Sequence, residues 1–599
     1  MQYVSPKNWT NLEQTRGLLF FAQRISELSF PYTADVYKAP SLSISGLISD
    51  AIQVLGRDWG DDSKQKQASH IIDEIKHRCN LVEFLPDVLH MPLAEYFHSD
   101  QNDSKLTTIK LKTLLAEINE SSYLAAIADR VVALSTQANK KKTLDALAVE
   151  LVSTLQYLGV SRDYINQYSM DAFFGEKPVK DGKIIFSLIK DLYPHRHDFD
   201  VYCIASEGIK LFGDESLRSF RIKVADELPE YIELDYKKFN KLTKKTGFAV
   251  FCVKVDATDY NSAANSAKAM LDRLASVYQL FHHKWTYEVL PVAISNQTCC
   301  SKVHKEAQVH GNAMHYIKDQ LPDRARASLS EMLSNRAFMR GPDRSKYVNL
   351  IEMHGLSART LSADSQLINV WTCLETISPP SSHSSSNIDR VVNCIIPVLS
   401  LRYTKRILVY LLFDLFRWNK AKVLKAFKLY GVLKSLKAHM KLFEVISNKN
   451  NQAGLIYLLE ELGDFELLRF RLYSVSYMFS SATNVRDAIR NYENTVRWTI
   501  HRIYRTRNSI VHNGTSPKYS RYLVEDSHNY FDQCFEFCMN LSSTSRKFNT
   551  FQVCFGFASM QHNFYINSLS SEKYLENCIW DIKSRNGKSY IFESAYPNQ

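Results

Sequence analysis

Apolar residues recur three and four positions apart along much of this chain, and that spacing constrains its fold more than any other feature. The segment 106–158 shows this spacing over a long stretch and has few glycines. Its apolar positions include Leu111, Leu114, Leu115 and Ile118, and then Leu144, Leu147, Leu151 and Leu155. Such spacing places apolar side chains on one face of an α-helix. Because strongly helical character returns over residues 360–545, the chain is predicted to be mainly α-helical.

The middle of the chain has a different pattern. Residues 176–300 contain short runs rich in Ile, Val, Phe and Tyr, which favour β-strands. The predicted strands cover residues 183–188, 201–204, 220–224, 231–234, 248–255 and 285–294, and a helix is predicted over 262–281. No Walker A or Rossmann glycine pattern occurs there, which argues against a nucleotide-dependent enzyme. We therefore expect an α+β module.

A chain of 599 residues is expected to form about three or four domains. We predict a helical accessory or sensor region over 1–175, the α+β module over 176–300 and a helical connector over 301–359. A helical domain follows over 360–545, broken by a turn-rich loop at 378–387. The tail over 546–599 is predicted to pack on that domain as a short β-type segment.

The eleven cysteines are scattered and odd in number, unlike a disulfide scaffold. We interpret them as buried small residues in a reducing compartment. The most apolar run, 407–416, contains Asp414 and is shorter than the roughly 20 residues of a membrane-spanning helix. The N-terminus lacks the pattern of a secretory signal. We expect a cytoplasmic protein with no membrane partner.

Two groups of residues have side chains that can bind metals. One contains His195, His197 and Asp198; the other contains Cys299, Cys300 and His304, with His310 and His315 beyond. Neither group has the paired short spacings of a zinc module. We therefore predict no metal and no cofactor.

The net charge of +11 is concentrated in one block. Residues 401–450 contain twelve Lys and Arg against two acidic residues, a balance of +10. Such an excess of positive charge indicates that the binding partner is a polyanion such as RNA. The predicted RNA contacts are Lys420, Lys422, Lys425 and Lys434. The alternative is a solvated helix face.

A second helix-forming pattern leads to a candidate site. A helix is predicted over 484–505, capped by Thr483 or Asn484, with apolar residues on one side. Its opposite surface carries Arg486, Arg490, Arg497, His501, Arg502 and Arg505. The residues that follow are Arg507, Asn508, Ser509, Ile510, Val511 and His512, and then Asn513 and Gly514. Asn-Gly is a strong turn signal, so His512 is expected near a chain reversal, a position that can present a side chain to a cleft.

These residue types suit RNA cleavage. Attack of the ribose 2′-OH on the adjacent phosphate needs a base, an acid and a counter-charge for the phosphorane. Histidine can accept and donate protons near neutral pH. Arginine can bind two oxygens of one phosphate at the same time. Arg507 and His512 together can therefore supply this chemistry, and it requires no metal.

The segment 507–514 resembles the RN-x-x-x-H signature of HEPN domains. The following Asn-Gly is similar to the ApeA-like branch found in bacterial anti-phage proteins, and a helix over 367–377 containing Trp371 also fits that branch. The strand followed by the helix over 262–281 looks like the region that precedes HEPN domains in such proteins. The resemblance covers residues 360–545, and it implies a helical bundle there.

The resemblance also implies an activity. Arg507 and His512 become the catalytic pair of a metal-independent endoribonuclease, and Asn508 orients His512 or the phosphate. Because the motif occurs once, a homodimer is implied. Family behaviour points to transfer RNA as substrate, and to abortive anti-phage defence in which the rest of the chain senses a phage-derived trigger. The alternative is a non-catalytic HEPN protein that binds RNA or dimerises.

Glu375 falls on the apolar side of the 367–377 helix. Because a buried carboxylate is costly unless it is paired, we hypothesise that Glu375 pairs with Arg507 or Arg505 and holds it in place. The alternative is a glutamate that is partly exposed or lies at an interface.

Overall fold

A computed structural model describes residues 3–56, 61–97, 104–300, 303–309, 312–316, 319–334, 338, 341–380, 386–429, 436–448 and 452–570. This part of the chain is mostly helical, with one small antiparallel sheet in the middle of the sequence. The prediction of a mainly α-helical chain with a central α+β part is therefore confirmed. No helix within the described ranges is long and apolar enough to cross a membrane.

The N-terminal part is all helical. Its helices are α1 (Arg16–Leu28), α2 (Ile44–Leu55), α3 (Asp61–Leu81), α4 (Leu85–Val88), α5 (Leu93–Phe97), α6 (Ser104–Glu117), α7 (Glu120–Leu134), α8 (Lys141–Tyr157), α9 (Arg162–Phe174) and α10 (Ile184–Leu192). The strand predicted over 183–188 is wrong, because α10 covers these residues and packs on α7 and α9. Its buried residues Ile185, Leu188, Ile189 and Leu192 follow helical spacing.

The sheet has five antiparallel strands in the order β2-β3-β1-β4-β5. The strands are β1 (His197–Ser206), β2 (Ile222–Val224), β3 (Phe248–Ala257), β4 (Val289–Gln297) and β5 (His304–Gln308). Shorter helices lie within this part: α11 (Asp214–Ser219), α12 (Glu230–Asp235) and α13 (Lys237–Thr243). The long helix α14 (Tyr260–Gln279) contacts β1, β3, β4 and β5.

Most predictions for this module are confirmed. Strands lie within or overlap 201–204, 220–224, 248–255 and 285–294, and the helix predicted over 262–281 is α14. The strand predicted over 231–234 is wrong, because α12 covers it and buries Ile232 in an apolar cluster with Phe239 and Ile204. β5 was not predicted, since its sequence is largely polar.

The C-terminal part is helical again. Its helices are α15 (Pro322–Ser334), α16 (Arg344–Arg359), α17 (Ala363–Ile377), α18 (Asn387–Leu429), α19 (Ala438–Ser447), α20 (Ala453–Glu461), α21 (Glu466–Met478), α22 (Ala482–Asn513), α23 (Ser520–Thr544) and α24 (Phe551–Ser568). Helix α18 is kinked at Asn419, where φ is −161°.

The β-type tail predicted after residue 545 is wrong where the structure describes it. Helix α24 occupies that stretch and packs on α18 and α23. Phe551, Cys554, Phe555 and Ala558 are buried at helical spacing. The remainder of the tail, 571–599, lies outside the described residues.

One apolar core extends from the N-terminal helices into the C-terminal helices, whereas the sheet has two separate clusters on its faces. At the junction, the rings of Phe20 in α1 and Phe470 in α21 lie 5.0 Å apart at 70°. The helices at the two ends of the described chain are therefore joined by apolar packing.

A buried charge network crosses the same junction. Arg471 Nη2 lies 2.6 Å from Glu27 Oε2, Arg24 Nη1 lies 2.7 Å from the same oxygen, and Arg471 Nη1 lies 2.7 Å from Asp414 Oδ2. Burial alone would raise the pKa of Glu27, but Arg471 and Arg24 outweigh burial and lower it. The lowered pKa means that this stabilisation is present above the unfolded-state pKa and is lost as pH falls through the folded-state pKa.

We expect Glu27→Gln to lower the free energy of unfolding by about 1.5–3 kcal/mol at neutral pH, because it removes a buried carboxylate that two arginines share. Each arginine keeps a second carboxylate, Asp414 or Asp145. Denaturant unfolding measures the loss. The matched control is Glu13→Gln, whose carboxylate pairs with Arg16 but is 80% exposed. Its effect on the free energy of unfolding should be much smaller, because exposed ion pairs are screened by solvent. The loss of unfolding free energy caused by Glu27→Gln should become smaller at acidic pH, where Glu27 of the wild type is itself protonated. Equal stability of the two variants at neutral pH would contradict this account.

Candidate active site

The predicted RNA-cleaving residues lie on α22, which is longer than the sequence indicated. The helix begins after Ser481, whose Oγ accepts a hydrogen bond from the Asn484 backbone N–H at 3.1 Å. Ser481 is therefore the capping residue, where the sequence predicted Thr483 or Asn484. One face of α22 is apolar and buried, including Val485, Ile489 and Val496.

The other end of α22 shapes the motif. The helix continues through Asn513 and stops at Gly514, which has a left-handed φ of 62°. Gly514 N–H donates to the Ile510 carbonyl at 3.2 Å, and Thr515 N–H donates to the Ser509 carbonyl at 3.3 Å. The predicted end near residue 505 is wrong by about two turns. Residues 507–512 are helical, and the chain turns directly after them.

Helical geometry places Asn508 next to each of the other two motif residues. Arg507 Nη1 donates to Asn508 Oδ1 at 2.9 Å. Asn508 and His512 are four residues apart and thus share one face, with Cβ atoms roughly 5–6 Å apart. Arg507 and His512 are roughly 140° apart around the helix. Asn508 is therefore the residue that lies between the arginine and the histidine.

Exposure differs across the group. His512 is exposed, whereas Arg507 and Asn508 are half-buried. Within the described part of the chain, no hydrogen bond to the His512 ring is formed. The ring is therefore accessible from solvent, and nothing in the described monomer orients it.

The charged surface of α22, opposite its apolar face, forms an internal interface near the motif. Arg502 pairs with Glu74 of α3 and donates to Ser41 Oγ at 2.9 Å. Arg505 Nη2 lies 2.7 Å from Asp50 Oδ2 of α2. The two arginine side chains are 3% and 5% exposed. These contacts fix α22, just before the motif, against the N-terminal helices.

A histidine pair extends the interface. The rings of His501 in α22 and His70 in α3 stack with centroids 3.8 Å apart. Burial lowers the pKa of His501 to about 3, with further lowering by His70 and Arg505. His501 is therefore neutral near pH 7, which permits the stacking. His512 is the exposed histidine of this helix.

The predicted pairing of Glu375 with Arg505 or Arg507 is wrong. Glu375 is half-buried on α17, and its carboxylate forms no ion pair with any residue that the structure describes. Arg505 bonds to Asp50 instead, and Arg507 bonds to Asn508. Helix α17 does contact α22 nearby, where the rings of Trp371 and Tyr504 lie 5.5 Å apart.

A cleft adjoins the motif. It has a volume of about 500 Å³ and lies between α2, the end of α8 and the turn between α22 and α23. Ser509 of the motif lines it, together with Asp50, Thr515 and Lys518. Arg507, Asn508 and His512 do not line it, so the motif borders this cleft without opening into it.

The basic block divides into different environments. Lys420 and Lys425 are exposed beyond the kink in α18. Lys422 Nζ lies 2.6 Å from Glu461 Oε2, so part of its charge is neutralised within the protein. Lys434 lies outside the described residues. Lys420 and Lys425 are therefore the two predicted RNA contacts that are exposed and form no ion pair among the described residues.

No protein-family model, curated protein or solved structure matches this chain.

We expect Asp50→Asn to lower the free energy of unfolding by about 3 kcal/mol, because it leaves Arg505 buried without its carboxylate. Glu375→Gln serves as the matched control and should change that free energy by less than about 0.5 kcal/mol. Denaturant unfolding of both variants decides the point. A larger loss for Glu375→Gln than for Asp50→Asn would restore the pairing that the sequence predicted.

Proposed function

We propose that this protein is a HEPN-type endoribonuclease that cleaves RNA through Arg507, Asn508 and His512. The observation that carries the proposal is the group at the end of α22. An arginine is bonded to an asparagine at 2.9 Å, and an exposed histidine follows one turn later on the asparagine's face. Arginine for phosphate and histidine for protons are the two functions that the reaction needs.

The reaction assigns a step to each residue. The 2′ oxygen attacks phosphorus as its proton passes to a histidine, and the bond from phosphorus to the 5′ oxygen breaks as that oxygen receives a proton. The products are a 2′,3′-cyclic phosphate and a 5′-hydroxyl. Arg507 stabilises the charge on the phosphorane oxygens, and Asn508 holds the Arg507 guanidinium in place.

The need for two proton transfers favours a homodimer. One His512 accepts the 2′-OH proton, and the partner's His512 donates a proton to the leaving oxygen. The end of α22 is accessible for such pairing, because His512 is exposed and the neighbouring Val511 is 46% exposed. A second copy would also supply the orienting contacts that His512 lacks within the described monomer.

The proposed substrate is RNA, with transfer RNA as the class that the resemblance suggests. Lys420 and Lys425 are exposed cations suited to its phosphates. The proposed setting is abortive defence against phage. In it, the N-terminal helices respond to a phage-derived trigger and restrain the RNase through Asp50 and Glu74, which hold α22.

The second candidate is a HEPN-type protein that binds RNA or dimerises without cleaving. The lack of an orienting partner for His512 among the described residues favours it. Such a protein would have the same RNA contacts and the same dimer but would not cleave RNA. An RNase assay therefore distinguishes the two candidates.

His512→Ala should lower the rate of RNA cleavage by purified protein about 10²–10⁴-fold, the usual contribution of a positioned proton-transfer residue. Arg507→Ala should lower it by at least about 10²-fold through loss of phosphorane stabilisation. The assay follows total tRNA and a labelled oligoribonucleotide over time.

The matched controls are Arg490→Ala, an exposed arginine of the same helix, and His283→Ala, an exposed histidine after α14. Both should cleave at the wild-type rate. Full activity of the His512 and Arg507 variants would place the site elsewhere. A wild-type protein that binds RNA without cutting it would favour the second candidate.

The exposed lysines yield a separate prediction. Lys420→Glu/Lys425→Glu, made together in the His512→Ala background, should weaken RNA binding. They should also reduce the slope of log K against log salt by about 1 for each phosphate that the protein no longer neutralises. Fluorescence anisotropy across a salt series measures both quantities.

Lys237→Glu/Lys238→Glu is the control with the same change in net charge, because both lysines are exposed on α13. Its binding should match that of the His512→Ala parent. If both double variants weaken RNA binding equally, only the total charge of the protein matters. That result would contradict the prediction that α18 contacts RNA.

A further inference from the structure

Two residue groups that are separated by about a hundred positions in the sequence meet at one end of the sheet. His197 is the first residue of β1, and Cys299 and Cys300 follow the end of β4. Since β1 and β4 are antiparallel with Phe199 opposite Gln297, residues just before Phe199 lie beside residues just after Gln297. The register of the sheet thus unites groups that appeared unrelated in the sequence.

The three side chains converge on one point. Cys299 Sγ and Cys300 Sγ each lie 3.4 Å from His197 Nδ1, and the two sulfurs lie 3.5 Å apart. Adjacent residues in an extended strand point to opposite sides. The chain bends at both cysteines, and the bend lets both thiols face the same ring nitrogen.

We propose that His197, Cys299 and Cys300 bind one zinc ion. Zinc bonds of about 2.3 Å to sulfur and about 2.0–2.1 Å to nitrogen place tetrahedral ligands roughly 3.5–3.8 Å apart. The observed separations of 3.4, 3.4 and 3.5 Å need shifts of only a few tenths of an ångström. A disulfide needs sulfurs about 2.05 Å apart, so the same arrangement does not fit a bond between the cysteines.

The ligand chemistry and the surroundings favour zinc further. Two thiolates and one imidazole form a ligand set that zinc accepts with a fourth position open. Both cysteines are exposed, so water would fill that position when zinc is bound. Gln297 Nε2 donates to Cys300 Sγ at 2.9 Å, a contact that stabilises a thiolate and orients it.

A second cluster with metal-binding side chains has two of its ligand atoms in direct contact with each other. His354 Nε2 and His528 Nε2 lie 2.8 Å apart, which is a direct hydrogen bond between the rings. His528 Nδ1 lies 3.2 Å from Asp532 Oδ2. Because the two imidazole nitrogens face each other at this distance, the zinc proposal is confined to His197 and the two cysteines.

The proposed ion has a structural consequence that is independent of RNA cleavage. It links the start of β1 to the segment between β4 and β5. Backbone hydrogen bonds already help to hold this end: Thr298 N–H donates to the Asp198 carbonyl at 2.9 Å, and Gln297 N–H donates to the Val303 carbonyl at 3.0 Å. Zinc would add a link through side chains and fix the exposed end of the sheet.

The test measures metal content and the spectrum of a substituted ion. The full-length protein is purified in reducing buffer without a metal-affinity step, incubated with Zn²⁺ and desalted, and its zinc is determined by elemental analysis. We expect one zinc per chain. Cobalt in place of zinc should give thiolate-to-cobalt charge-transfer bands and the intense visible bands of tetrahedral Co²⁺.

Cys299→Ser/Cys300→Ser and His197→Ala should each abolish the zinc and the cobalt bands. Because these side chains are exposed or half-exposed, circular dichroism should show an unchanged fold. Cys252→Ser, a thiol of β3 outside the cluster, is the matched control and should retain one zinc. A wild-type protein that takes up no zinc, or cluster variants that retain it, would overturn the proposal. No step uses RNA, so the outcome is separate from the RNase assays.

Discussion

Two carboxylates of the N-terminal helices hold the helix on which the candidate site lies. Arg505 meets Asp50, and Arg502 meets Glu74, with both arginines almost fully buried. A buried cation is tolerated only when it is paired, so α22 cannot leave α2 and α3 without exposing or orphaning these charges. The position of residues 507–512 therefore depends on a part of the chain more than 400 residues away in sequence.

The sequence predicted helices well where apolar spacing alone determined the outcome, as in α8 and α14. It failed where residue type was given more weight than spacing. Three stretches rich in Ile, Phe and Tyr, which favour strands, are helical in the structure. They are residues 183–188 in α10, 231–234 in α12, and the start of the tail in α24. In each helix the apolar positions also fit a helical period, and tertiary burial decided between strand and helix.

The residues proposed for the candidate site come from the sequence, but most of their contacts could not be predicted from it. Arg507, Asn508 and His512 follow from a local motif. The partner of Arg505 does not, because nothing near the motif indicates Asp50. The same limit applies to His197 and the two cysteines, which meet only through the register of β1 against β4. A local sequence pattern can identify reactive side chains. The residues that contact those side chains depend on packing between distant parts of the chain.

The most direct test of the account is the chemistry of the RNA ends that the purified protein produces. An oligoribonucleotide is cleaved, its products are identified by mass spectrometry, and the assay is repeated with a single 2′-deoxy nucleotide on the 5′ side of the cut. Attack by the 2′ oxygen predicts a 2′,3′-cyclic phosphate, a 5′-hydroxyl and no cleavage at the deoxy position. A 5′-phosphate product, or unchanged cleavage of the deoxy substrate, would contradict it.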